Sequence, residues 1–280
     1  MNKTKGEIRM LGLNKKNAEN KNIKNPPSDD SYPIVATLFR NKRLNNREID
    51  IPCLSLTILN LINENQIKCE INYGNSYNIN GKPNEDDLEV MKNITLRIAN
   101  KGELKTSESI AINLLKRMNN SKKFNLKDMY KQSKNTAVAN NFYKDFYSFK
   151  EAVENENNYD SKDYKDILAN GKFSDKGKDI KRQWKSFQDY LKSEELTGKY
   201  PPESADENAT QIIYAACFNI EKDASGLRDN NSTVCNFIDK DGYKLLNLIF
   251  DNALSNVSKK SKGTGIFYGV NDKYTIPGGG

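Results

Sequence analysis

Few residues in this chain could carry out chemistry. Histidine, the commonest general base and a frequent metal ligand, is absent from all 280 positions. That excludes Ser–His–Asp and Cys–His catalytic arrangements and every Cys/His zinc site. The four cysteines, Cys53, Cys69, Cys217 and Cys235, lie in apolar or strand-like contexts, and none forms a Cys-x-x-Cys pair. They read as reduced thiols of a cytosolic protein. Neither a Gly-x-x-x-x-Gly-Lys-Ser/Thr loop nor a Ser-x-x-Lys motif occurs. "GTGIFYG" at 263–269 lacks the third glycine of a dinucleotide loop and follows no strand. Glu85, Asp86, Asp87 and Glu89 cluster in an expected loop, where a solvated run is the first reading and weak calcium capture a remote one. "FIDKDG" at 237–242 has Asp239, Asp241 and Gly242 in calcium-loop order. Phe237 at the first ligand position and Leu248 at the twelfth defeat that reading, so Asp241-Gly242 is expected to open the following helix. The expectation is a non-enzyme without cofactor, metal or small-molecule substrate.

Cations are the remaining functional candidates. Of the net charge of +7, residues 1–24 hold seven cations against Glu7 and Glu19, leaving a nearly neutral body behind a basic arm. Such an arm suits an anionic membrane surface or a solvated tail. Within the body, Lys127, Lys131, Lys134, Lys144 and Lys150 surround Tyr130, Tyr143 and Tyr147. Lys15, Lys16, Lys127, Lys131 and Lys134 are the candidate contacts to nucleic acid or an anionic surface. By contrast, Glu48 to Ile67 has no Lys or Arg, so a helix there is suited to packing against protein rather than reading DNA.

The elements that position these residues read as mainly α (α+β). A short helix is expected near 32–40. A second, over 51–66, places Leu54, Ile58, Leu61 and Ile62 on one face and ends near Asn65. "IKCEI" at 67–71 and "ITLRI" at 94–98 alternate as strands, with a long Gly/Asn/Asp/Pro-rich hairpin loop between them. That is winged-helix order. A second unit follows, with helices over 107–118 and 135–155 around an extended residue or two and a short helix at 124–133, and no visible wing. A helix then carries Ile180, Trp184, Phe187 and Leu191 on one face, a core stripe. It ends before Tyr200-Pro201-Pro202, and two more helices are expected over 205–219 and 241–257. The expected organisation is a basic flexible arm (1–27), a winged-helix-like unit with a small β-hairpin wing (28–100), a second such unit (101–158), a C-terminal helical subdomain (159–258) and a Lys/Gly-rich tail (259–280). No window reaches the roughly 18 apolar residues of a membrane span, and mean hydropathy is −0.82. No secretory signal opens the chain.

"FSDKGKDIKRQWKSFQDYLKSEELTGKYPPES" followed by "IIYAACFNIEKDA" resembles a stretch of the predicted membrane proteins of domain-of-unknown-function family 2207 (YciQ-like). The matching positions are Lys176-Gly177, Trp184, Phe187, Tyr190-Leu191, Tyr200 to Ser204 and Tyr214-Ala215. "SYPIVATLF", "LSLTILNLINENQIKCEI" and the segment from Leu104 to Val153 are similar to the cytosolic module of the same family, so the resemblance covers most of 28–225. It implies a cytoplasmic region of a prokaryotic membrane protein. Relatives also have a signal peptide, an exported domain and membrane helices, often one where this chain runs from Asn155 to Phe173. This chain is expected to be either the soluble cytosolic portion of a larger protein or a shortened soluble relative. The resemblance implies no catalytic or binding residues. The expected role is a cytosol-facing interaction or scaffold module at the inner membrane surface, with protein partners and with anionic lipid held by the arm. A winged-helix DNA-binding regulator is the alternative.

Overall fold

The computed structural model describes residues 25–28, 31–40, 47–72, 83, 85–99, 102–119, 121–156, 168–169, 172–193, 205–221 and 232–258. Lys15, Lys16, the basic arm up to residue 24, the Tyr200-Pro201-Pro202 turn and the tail from 259 lie outside them.

One helix organises the core. α1 (Tyr32–Arg40) leads to α2 (Arg47–Asn63), in which every residue from Ile49 to Leu59 is buried. Apart from Asp50, Ser55 and Thr57 that stretch is apolar all round, and such a helix must be covered on all sides. α2 is packed by α1, by β1 (Ile67–Ile71), by α4 (Thr106–Asn119) and by three helices near the C-terminus, α8 (Ala205–Cys217), α9 (Thr233–Asp239) and α10 (Gly242–Ser255). α2 begins a turn earlier than its apolar pattern indicates, so that Pro52 sits inside it. The ring deprives the Glu48 carbonyl of its helical partner, and exposed Glu48 places that end of the helix at the surface. At the other end Asn65 takes φ 57°. Asn65 N–H donates to Ile62 O (3.1 Å) and Gln66 N–H to Leu61 O (2.9 Å), a left-handed C-terminal cap.

β1 pairs antiparallel with β2 (Ile94–Ile98) in the register Cys69↔Leu96, at the expected boundaries. The connection is not a bare loop, since its last nine residues form α3 (Glu85–Asn93). Three carboxylates in the first turn and Lys92 in the last match the helix macrodipole, and Asp87 and Met91 are buried four residues apart. A third strand, β3 (Lys123–Asn125), pairs with β2 through Leu96↔Phe124. The two expected units therefore share one sheet, ordered β1-β2-β3, and one continuous apolar core. α5 (Leu126–Ser133) is capped by Asn125, whose side chain accepts from Asp128 N–H. α6 (Thr136–Glu156) follows and packs along α4. The Glu156 carboxylate accepts from Ser107 N–H (2.7 Å) and Ser107 Oγ–H (2.6 Å), which satisfies the first turn of α4.

The short hairpin β4 (Leu168–Ala169) and β5 (Lys172–Phe173) introduces α7 (Asp175–Lys192), capped by Ser174. Ile180, Trp184, Phe187 and Leu191 are buried, as their spacing requires. Trp184 packs against Tyr214 of α8 with tilted rings 5.3 Å apart, and Tyr214 against Tyr32 of α1 with tilted rings 4.8 Å apart. α1, α7 and α8 thus meet in one aromatic cluster. Between α8 and α10 lies α9, which the sequence pattern missed. α10 opens at Asp241-Gly242, as expected, with Asp241 at φ 57° and without a side-chain cap bond. Beyond α10, Ser258 N–H donates to Asn140 Oδ1 (2.9 Å), and Asn252 donates to Ser133 Oγ (2.6 Å), so α10 is tied to α5 and α6.

Candidate functional site

The most concentrated functional chemistry in the described residues lies on the outer face of the three-stranded sheet. The inner face carries Ile67, Ile94, Leu96, Ile98 and Phe124, all buried. Alternation then sends the polar residues outward. Register places Lys68 beside Arg97 and Arg97 beside Lys123, a row of three exposed cations across three strands. With strands ~4.8 Å apart, the row spans about 10 Å. Like charges directly opposite each other destabilise a sheet. The acidic neighbour is Glu70, bound to Lys123 at 2.8 Å. That hydrogen bond and the charge of Lys123, with Arg97 and Lys68 adding to it, hold the Glu70 carboxyl below its ordinary range. One carboxylate against three cations leaves the face net positive.

This row is invisible in the sequence, where each cation is a single polar residue on a separate strand. Only the pairing register joins them. The alternation of "IKCEI" and "ITLRI" marks Lys68 and Arg97 as outward-facing but not as neighbours.

The expected cations disperse. Lys127 of α5 is mostly buried and bound to Glu89 of α3, whose carboxyl is lowered chiefly by that hydrogen bond. Lys131 is exposed, and Lys134 lies 4.3 Å over the Tyr130 ring. Lys150, read from sequence as part of the same basic group, is instead buried against Asp50 of α2. The exposed charged residues of α6 are Lys144, Glu151 and Glu156, a nearly neutral set.

Burial pushes the Cys69 thiol up to about 12, and the other three cysteines are buried and in no disulfide. Tyr32 is likewise pushed above its ordinary value by burial. Among the described residues no three Cys, Asp or Glu side chains are grouped to hold a metal. A cleft of about 120 Å³ lies beside β1, lined by Cys69, Ile71, Thr233, Asn236 and Lys240. It is smaller than the usual small-molecule pocket of roughly 300 Å³ or more.

No curated protein and no solved structure matches this chain. A family model does match, described as a predicted membrane protein (DUF2207) C-terminal domain, over residues 23–170, just over half of the chain. Among the described residues no helix is long and apolar enough to cross a membrane. The matched stretch contains α1 to α6 and the whole cationic sheet, and the chain belongs to the DUF2207 C-terminal domain family of predicted membrane proteins.

Proposed function

We infer that this chain is a non-enzymatic interaction module that docks on an anionic membrane surface, on the cytosolic side, and offers its helical body to protein partners. The observation that carries this reading is the in-register row of Lys68, Arg97 and Lys123 on an exposed sheet face. A basic residue near an anionic bilayer contributes about 1 kcal/mol, so three act together for about 3 kcal/mol at low salt. The basic arm with Lys15 and Lys16 adds to the same attraction. Four free cysteines agree with a reducing compartment. The tandem winged-helix reading of 28–158 belongs with it. In its favour, α4, β3, α5 and α6 follow winged-helix order, and β3 pairs with the β1–β2 ribbon as a wing supplied from upstream.

DNA binding is the weaker reading. α2 is enclosed by other helices, and α6 turns a nearly neutral face outward. Neither can supply the phosphate contacts of a recognition helix. Co-sedimentation with phosphatidylglycerol vesicles, set beside a duplex DNA shift at the same salt, separates the two. Vesicle binding that falls with salt supports docking. Salt-dependent DNA binding lost on Lys131 and Lys134 substitution, with no vesicle binding, would replace it with the regulator.

A further inference from the structure

β1 is an edge strand, and its free edge has an unusual symmetry. The bonds Ala99 N–H to Gln66 O (2.8 Å) and Asn72 N–H to Asn93 O (2.9 Å) bracket its ladder with β2. Lys68 and Glu70 are therefore the residues whose backbone groups bond β2. Ile67, Cys69 and Ile71 aim their N–H and C=O groups away from it. No strand among the described residues pairs with that side, and the cleft lined by Cys69, Ile71, Thr233, Asn236 and Lys240 runs beside it. Exposed edges are commonly guarded by a charge, often Lys. Here Lys68 would serve as that guard, but Glu70 follows two residues later.

That spacing makes the edge complementary to itself. In an antiparallel pairing centred on Cys69, Lys68 faces Glu70 of a second copy and Glu70 faces its Lys68. Ile67 faces Ile71, and Cys69 faces Cys69. The same centring matches the outward backbone groups of 67, 69 and 71 to those of 71, 69 and 67. Side-chain charge, apolar pairing and backbone hydrogen bonding therefore select one register. Glu70 keeps its second oxygen available beside the one bound to Lys123.

We propose that β1 is the homodimerisation edge of this protein, where two copies join antiparallel about Cys69 into one six-stranded sheet. The proposal goes beyond membrane docking and does not depend on it. A five-residue edge is short, so the contact is a weak, concentration-dependent one, in the class of small transient interfaces. A two-fold axis makes the interface isologous and closed, so pairing stops at the dimer.

The test is analytical ultracentrifugation of the full chain across a concentration series without lipid, with amide hydrogen exchange read at the lowest and highest concentrations. The expected result is a monomer–dimer equilibrium in which the Cys69 and Ile71 amides gain protection with concentration, while Lys68 and Glu70 do not. Lys68→Glu, at an exposed position, sets Glu against Glu in both pairs and should weaken the dimer by about tenfold. Lys68→Glu with Glu70→Lys restores opposite charges and should restore the dimer. A monomer at every concentration, a dimer that leaves Cys69 and Ile71 unprotected, or a charge swap that fails to restore pairing would each overturn the proposal.

Discussion

Asp50 of α2 and Lys150 of α6 meet inside the protein, Oδ2 to Nζ at 3.4 Å, with side chains 0% and 4% exposed. The Lys150 ammonium also lies 5.6 Å from the centre of the Tyr147 ring. One hundred residues apart in sequence, the pair joins the two segments read as separate units. Removing one partner takes the counter-charge from a buried ion, which costs about 3–5 kcal/mol, whereas replacing both with apolar residues is often neutral. Asp50→Ala and Lys150→Met are each expected to destabilise by that amount in urea unfolding. Asp50→Leu with Lys150→Met should recover most of it. Additive losses in the double variant would mean that the two charges do not act as a pair.

The family match ends at residue 170, yet α8, α9 and α10, all beyond it, pack against α2. A fragment ending at 170 would expose part of a helix that is buried on every side from Ile49 to Leu59. It should melt without cooperativity and bind a hydrophobic dye, unlike the full chain. A sharp cooperative melt of the fragment would show that α2 is sufficiently covered by α1, α4 and β1.

Gly242 opens α10 under the ring of Phe237, and a Cβ there would lie 2.6 Å from ring carbons. Phe237 is fully buried and has no room to yield. Gly242→Ala should cost about 1–3 kcal/mol by overpacking. Adding Phe237→Leu should return part of that loss, and thermal melts of the three chains decide it.

Glu70 and Glu89 have carboxyls held below their ordinary value of 4.5, chiefly by hydrogen bonds from Lys123 and Lys127. A folded-state pKa below the unfolded one gives stability that is fully present above the unfolded value and lost as pH falls through the folded one. Both groups are exposed, so the effect is small and salt-sensitive. Lys123→Met with Lys127→Met should flatten the acid limb of a stability–pH curve below pH 4.5, and an unchanged limb would exclude these two bridges as its source.

Local pattern made much of the fold legible. Alternation placed β1 and β2 residue for residue, and the 3–4 spacing of Ile180, Trp184, Phe187 and Leu191 identified a buried face. What it could not supply was partnership. α3 was masked because its Asp- and Asn-rich surroundings resemble a loop, although its first-turn acids and Lys92 carry the helix signal. Lys150 reads as a surface cation because Asp50, its partner, is distant in sequence. Lys68, Arg97 and Lys123 become a site only through strand register, and register depends on tertiary pairing. The binding of Lys127 to Glu89 has the same origin, whereas Lys134 over Tyr130 is a local contact four residues apart.

The most direct test of membrane docking through the sheet face is the vesicle affinity of two charge-removal variants of the full chain at low salt. Lys68→Gln, Arg97→Gln and Lys123→Gln together should weaken binding to phosphatidylglycerol vesicles by about a hundredfold, from about 1 kcal/mol per cation. Lys131→Gln with Lys134→Gln should leave it within a few fold. An affinity unchanged by the first variant, or lost only with the second, would contradict the account.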